Sequence, residues 1–185
     1  GNAVSLVERQ LKALRDENRQ LQRKLGSLIE TAKSNEELNQ RIQNFVISLI
    51  SAGNSLDDFL PILYEKTAEV FNTDAVTLRV FESTLANNIN KPEFVDYDAQ
   101  VFDLFENVLG ADLPICGRLT DAQSEYLFPE IKIGSAVLIP IGLPRSNGIY
   151  AMGSNDVARF NAGMATDLLQ YLGDTVSHLL YRYTG

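Results

Sequence analysis

The stretch "IGSAVLIPIGLPRSNGIYAMGS", residues 133–154, decides the fold of this chain. Its two apolar runs flank the turn-like segment "PRSNG" (144–148). Within that segment, Asn147-Gly148 is a dipeptide that favours a tight hairpin turn between two strands. Because strands joined by a hairpin pair antiparallel, the stretch predicts an antiparallel sheet and argues against a doubly wound parallel one.

The segments around this hairpin alternate between strand and helix patterns. "DAVTLRVFES" (74–83) shows the period of two that indicates a half-buried strand. Ser55 and Thr120 each precede an apolar pattern of helical spacing, as N-caps do. The predicted strands are 74–83, a short edge strand near 94–97, 114–119, 133–143 and 149–154, and the predicted helices span about 38–50, 55–71, 98–110, 120–128 and 162–183. The predicted fold class is therefore α+β, an antiparallel sheet flanked by helices.

A narrow apolar stripe runs through the first 34 residues and predicts a coiled coil. With Val4 taken as an a position, the a series is Val4, Leu11, Asn18, Leu25 and Ala32, and the d series is Val7, Leu14, Leu21 and Leu28. This is about four heptads, and leucine at d favours two strands. We therefore expect a parallel homodimer with Val4, Val7, Leu11, Leu14, Asn18, Leu21, Leu25 and Leu28 at its interface.

Asn18 interrupts this stripe with an amide. A single asparagine at an a position pairs with its own copy in a parallel dimer and penalises other registers. The alternative is an amphipathic helix that packs on its own domain, although such a helix usually has a wider apolar stripe. "SNEE" (34–37) could also begin a new helix as a capping box, but a nearly continuous helix is favoured. The predicted division is a dimerisation helix, 1–34, and a globular domain, 35–185.

Composition excludes several function classes. The chain has 185 residues, a net charge of −8 and one cysteine, and no apolar run reaches the ~20 residues that span a bilayer. Residues 1–34 carry a net charge of +3 and the remainder −11. An acidic domain does not suit nucleic acid, since phosphate binding needs clustered positive charge. We expect a cytoplasmic protein whose direct partners are neither nucleic acid nor membrane.

Two parts of the sequence resemble known families. "SAVLIPIGLPRSNGIYAMGSNDVARFNAGMATDLLQYLGDTVSHLL" resembles the C-terminal half of a GAF domain. "AVSLVERQLKALRDENRQLQRKL", "CGRL" and "GSNDVARFNAGMATDLL" are similar to the bacterial family called domain of unknown function 484, which often has a histidine where this chain has Asn161. The resemblance covers nearly the whole chain. It implies a coiled-coil helix leading into a GAF-like domain with no established activity.

The inventory of reactive side chains argues against an enzyme. His178 is the one histidine and Cys116 the one cysteine, so the usual ligands of a zinc site are missing, and no metal or cofactor is expected. Arg118, on the same side of a strand as Cys116, could favour its thiolate. A buried, unreactive cysteine is nevertheless the favoured interpretation.

The GAF resemblance implies a ligand pocket on one face of the sheet. It places Val76, Leu78 and Val80 against the terminal helices, and Arg79 on the pocket side. Arg79 could bind an anionic ligand there, or it could form a salt bridge with Asp96 or Asp98. The candidate pocket residues are Arg79, Phe81, Phe94, Phe102, Cys116, Arg118, Tyr126 and Met152.

Two classes of function compete for this chain. The first is a non-catalytic regulatory domain that senses a small molecule and signals along the coiled coil. The second is a protein-interaction adaptor whose pocket is filled by its own side chains. Both predict a homodimer, and only the first requires a ligand.

Overall fold

The computed structural model of the protein describes residues 2–142, 147–164 and 166–185. Within these residues the chain forms seven helices and five strands. The helices are α1 (Asn2–Ile50), α2 (Leu56–Phe71), α3 (Ser83–Asn88), α4 (Ala99–Leu104), α5 (Glu106–Leu109), α6 (Asp121–Leu127) and α7 (Thr166–Thr184). The strands are β1 (Ala75–Phe81), β2 (Phe94–Val95), β3 (Ile115–Gly117), β4 (Ser135–Ile141) and β5 (Gly148–Ser154). The chain divides into two compact units, Gly1–Gln40 and Arg41–Gly185.

Helix α1 is continuous, as expected, and supplies every described residue of the first unit. It passes through Ser34–Glu37 without a break, so the alternative of a new helix starting there is wrong. Inside a helix the backbone amides already donate to carbonyls four residues earlier, which leaves none for a capping box. The a and d side chains of the first unit are exposed.

The second unit contains a five-stranded sheet in the order β2-β1-β5-β4-β3. β1, β5, β4 and β3 pair antiparallel, and only the two-residue strand β2 pairs parallel, with β1. The β4–β5 hairpin is confirmed, with Ser135 paired to Ser154 and Ile141 to Gly148. Residues 143–146, which include most of the predicted turn, lie outside the described residues. The predicted α+β class is confirmed. A mostly antiparallel sheet with flanking helices follows a long N-terminal helix along the chain.

Helices α2 and α7 pack on one face of the sheet, here called the helix face. The buried hydroxyl groups of Thr67 in α2 and Tyr150 in β5 form a hydrogen bond. A Cβ atom at Gly173 in α7 would lie 2.5 Å from Ile139 Cγ2 in β4, so glycine is what allows this helix to approach the sheet. Val76, Leu78 and Val80 lie on this face by their pairing with β5, as expected.

Three elements differ from the sequence-based expectations. The last helix was expected from Ala162, but α7 begins at Thr166. The preceding segment forms a turn in which Asn161 Oδ1 accepts from Gly163 N and Asn161 O accepts from Met164 N. The helix expected over 98–110 is two short helices separated at Phe105. Helix α3 was not predicted, and its N-cap is Glu82, a residue type that is uncommon in this position.

Candidate functional site

Five aromatic side chains meet on the face of the sheet opposite the helix face. Phe81 of β1 lies 6.0 Å from Phe102 and 6.3 Å from Tyr126, measured between ring centroids. Phe105 lies 5.8 Å from Tyr126, and Tyr97 lies 5.4 Å from Phe102. These spacings are in the range of stabilising aromatic pairs. We call Phe81, Tyr97, Phe102, Phe105 and Tyr126 the aromatic cluster, and this side of the sheet the cluster face.

Specific hydrogen bonds hold the short helices over the cluster face. Thr77 Oγ1 in β1 donates to Leu127 O at the end of α6, at 2.7 Å. The buried Gln123 in α6 donates through Nε2 to Leu104 O, at 2.7 Å. Gln123 also completes a capping box with Thr120, the N-cap that the sequence predicted. The two contacts from α6 therefore join β1, α6 and α4 around the aromatic rings.

The cluster face is packed with the protein's own side chains. Phe81, Phe105, Leu127 and Leu138 belong to one buried core group, against which Phe102 and Tyr126 pack while half-buried. Of the candidate pocket residues, Phe81, Phe102 and Tyr126 are thus brought together. The ring of Phe81 contacts the rings of both Phe102 and Tyr126.

Arg79 finds a backbone partner. Its Nη1 donates to Leu78 O at 2.7 Å, and the side chain is half-buried. Neither Asp96 nor Asp98 forms a salt bridge with it, and no other carboxylate among the described residues lies within 4.0 Å of its guanidinium. Its positive charge is close enough to Tyr64 and Tyr126 to oppose the rise in the pKa of both phenols that burial causes.

A groove that the sequence did not predict lies between α2 and the segment before β2. It has a volume of about 440 Å³ and is lined by Leu56, Asp57, Leu60, Pro61, Tyr64, Lys91, Pro92 and Glu93. Tyr64 Oη donates to Glu93 Oε1 at 2.8 Å, and Glu93 is only 8% exposed. Lys91 forms an ion pair with Asp57 in the first turn of α2. The turn-rich sequence around Lys91 and Glu93 has no periodicity from which this arrangement could have been predicted.

The other candidate pocket residues lie elsewhere. Cys116 in β3 and Met152 in β5 both pair with Val137 of β4, and Phe94 in β2 pairs with Val80 of β1. Because paired residues point to the same face of a sheet, these three side chains lie on the helix face. Arg118 follows β3 and is exposed. Cys116, Met152 and Phe94 therefore cannot line one pocket with Phe81, because the sheet separates them.

The thiol of Cys116 is held in its neutral form. Burial raises its pKa to about 11, and Arg118 does not contribute to the shift. We expect native Cys116 to react with a maleimide roughly 100-fold more slowly than free cysteine at pH 7.5, because the thiolate is the reactive form. The labelling rate should rise about tenfold per pH unit up to pH ~11. Stopped-flow labelling checks this, with unfolded protein as control, and fast stoichiometric labelling at neutral pH would contradict it.

The described residues of the run "GSNDVARFNAGMATDLL", which resembles a known family, have a structural role. Ser135 Oγ donates to Asp156 O at 2.6 Å and accepts from Phe160 N at 3.1 Å. Arg159 donates to Phe71 O and stacks on the ring of Phe160, 4.8 Å from its centroid. These bonds tie the β5–α7 connection to β4 and α2. Ala165, part of the same run, lies outside the described residues.

The described residues offer neither a cluster of metal ligands nor a membrane-spanning helix. No group of three or more His, Cys, Asp or Glu side chains in this part of the chain is placed to hold a metal ion. No helix within the same residues is long and apolar enough to cross a membrane.

Comparison with known proteins gives a consistent family relationship. The chain is 27% identical over 185 residues to "Uncharacterized protein YigA" of Salmonella typhimurium, an alignment that covers 97% of this chain and 77% of the relative. The protein of the same name from Escherichia coli is also 27% identical, with the same coverage. The profile of the family described as "Protein of unknown function, DUF484" matches residues 1–185. The chain therefore belongs to the DUF484 family, in agreement with the resemblance seen in its sequence.

Proposed function

We propose that this protein is a non-catalytic regulatory module that dimerises through a parallel coiled coil and acts by binding other proteins. The observation that carries the proposal is the apolar stripe of the first unit. Its seven valine and leucine side chains at a and d positions are 47–67% exposed in the single chain. A stripe of this length and spacing favours a second helix as its cover.

Asn18 favours the parallel orientation. In a parallel dimer the two copies of Asn18 meet and can bond each other. An antiparallel dimer would set each Asn18 against apolar d side chains, at a cost of about 1–3 kcal/mol per unsatisfied amide. In return, the antiparallel dimer would form exposed ion pairs between Glu17 and Lys24, which face each other at g positions. Each such pair stabilises a dimer by about 0–1 kcal/mol. The cost of the unsatisfied amides exceeds the stabilisation from these ion pairs, so the parallel dimer is the proposed state.

The packed cluster face favours an adaptor over a small-molecule sensor. A sensor with a GAF-like pocket needs space on this face, and the aromatic cluster occupies the part that Phe81, Phe102 and Tyr126 were expected to line. The sensor remains a second candidate because the half-buried Tyr126 lies near Arg79, which has no carboxylate partner among the described residues. A gain in melting temperature with nucleotides or small carboxylates, lost in Arg79→Met, would select the sensor.

Asn18→Leu tests the proposed dimer. We expect the wild type to be a dimer at tens of micromolar in sedimentation equilibrium. Asn18→Leu should raise the melting temperature, because it removes the energetic cost of burying an amide. It should also populate additional oligomers, because the amide no longer selects one register and oligomer state. Gln20→Leu is the matched control, since Gln20 is an exposed amide off the stripe in the same helix. A monomeric wild type would contradict the proposal.

A further inference from the structure

The groove between α2 and the segment before β2 has a polar contact near each end. Near one end Asp57 pairs with Lys91, and at the other Tyr64 bonds to Glu93. Because an α-helix rises about 1.5 Å per residue, Asp57 and Tyr64 lie about 10 Å apart along α2. The groove has a volume of about 440 Å³, which is within the range of known ligand sites.

The lining between the two polar contacts is apolar. It consists of Leu60 and Pro61 in α2 and Pro92 in the facing segment, with Leu56 beside Asp57. The two leucines are buried and the two prolines are exposed, so the groove has an open rim above a buried base. Such a surface suits the hydrocarbon part of a ligand.

Glu93 is a buried carboxylate that no cation contacts in the described part of the chain. The residue is 8% exposed, and it forms no salt bridge with a described Lys or Arg side chain. Its Oε1 accepts from Tyr64 Oη at 2.8 Å, while its Oε2 has no hydrogen bond from the described residues. Burial raises the pKa of Tyr64 and Glu93 adds to the rise, so the phenol stays protonated and donates. Because glutamate is almost never buried unless it is paired, Glu93 is an unusual lining residue.

The cations close to Glu93 are held by other groups. The ammonium group of Lys91 pairs with Asp57, and Arg79 donates to a backbone carbonyl of its own strand. The hydrogen bond to Asp57 raises the pKa of Lys91 most, and Glu93 contributes least. Residues 35–185 as a whole carry a net charge of −11, which attracts a basic partner. The carboxylate of Glu93 is therefore left for a cation from outside the chain.

We propose that this groove binds a lysine side chain of a partner protein. The four-carbon stem of the lysine lies along Leu60, Pro61 and Pro92. Its ammonium group bonds to Glu93 Oε2. Lysine fits better than arginine, because Tyr64 already occupies Oε1 and hinders the two parallel bonds that a guanidinium forms with a carboxylate. The inference rests on the proposed role in binding other proteins and names the surface and the kind of partner.

Peptide binding to the full chain tests this groove. The probes are capped seven-residue peptides with a central lysine between leucine or proline neighbours, and matching peptides with acetyl-lysine, which lacks the charge. We expect the best lysine peptide to bind about tenfold more tightly than its acetyl-lysine counterpart in fluorescence anisotropy. In protein with isotope-labelled leucine methyl groups, the NMR signals of Leu56 and Leu60 should shift when the peptide binds.

Glu93→Gln is the deciding substitution. The amide keeps an oxygen that can accept from Tyr64 but carries no charge, so this variant should bind lysine and acetyl-lysine peptides alike. Glu65→Gln is the matched control and should keep the preference for lysine, since Glu65 is an exposed carboxylate of α2 that does not line the groove. The melting temperature of each variant, measured in parallel, shows whether the fold is kept, and the wild-type preference and methyl shifts depend on neither variant.

The opposing outcomes are distinct. Failure of every lysine peptide to bind the wild type at 1 mM, or an unchanged preference for lysine in folded Glu93→Gln, would overturn the inference. Saturation of the same methyl shifts by n-butylamine at a lower concentration than any lysine peptide would assign the groove to a free amine and overturn the protein partner. Loss of the inference with a dimeric wild type leaves the proposed dimer standing, while a monomer in sedimentation contradicts the proposed function independently of peptide binding.

Discussion

Leu21→Asp is expected to dissociate the dimer. Leu21 is at a d position, and two aspartates would face each other in the middle of the proposed interface. Leaving unpaired charges there should cost about 4 kcal/mol or more per dimer, roughly a thousandfold in the dissociation constant. Sedimentation equilibrium at tens of micromolar should then find a monomer, with the second unit still folded by near-ultraviolet circular dichroism.

Leu6→Asp is the matched control for this experiment. Leu6 and Leu21 lie on the same helix and are 56% and 57% exposed in the single chain, but Leu6 is at a c position, off the stripe. We expect Leu6→Asp to keep the dimer. If the two variants behave alike, the heptad assignment is wrong, because only the position in the heptad distinguishes them.

Phe105→Ala is expected to give the largest loss of stability in the second unit. Phe105 is fully buried, packs against Tyr126, and belongs to the core group under α5 and α6. Removing its ring should lower the free energy of unfolding by about 3–5 kcal/mol, from lost burial and from the cavity left behind. Urea unfolding followed by tyrosine fluorescence measures the change.

Tyr97→Ala is the control for the aromatic cluster. Tyr97 also contacts a cluster ring but is exposed, so its removal should change stability by less than about 1 kcal/mol. A small effect of Phe105→Ala would show that the cluster face has room to collapse. In that case the adaptor proposal, which depends on this face being filled, would lose its support.

Local signals in the sequence were sufficient for most secondary structure. The period of two in 74–83, the N-caps Ser55 and Thr120, and the hairpin strands on either side of Asn147 all correspond to observed elements. Each signal depends only on residues a few positions apart, so it can be recognised without knowledge of the rest of the fold. Helix α3 and the break at Phe105 had no comparable local signal.

The candidate site was predicted less completely, because its members come from different elements. Phe81, Phe102 and Tyr126, which the resemblance to a known domain assigned to a ligand pocket, lie together on the cluster face. Phe94, Cys116 and Met152 were assigned to the same pocket, yet strand register puts them on the helix face. Register is set between strands far apart in sequence, and a shift of one residue exchanges the two faces.

The sequence by itself determined the antiparallel hairpin, the α+β class and the heptad stripe that makes a dimer the expected state, since each follows from spacing along one segment. Only the tertiary structure decided where Arg79 bonds. The choice of Leu78 O over Asp96 or Asp98 depends on β2 being two residues long, which leaves an opening in the strand pairing of β1 at Leu78 O. That opening depends on how strands end against their neighbours, and no single segment encodes it.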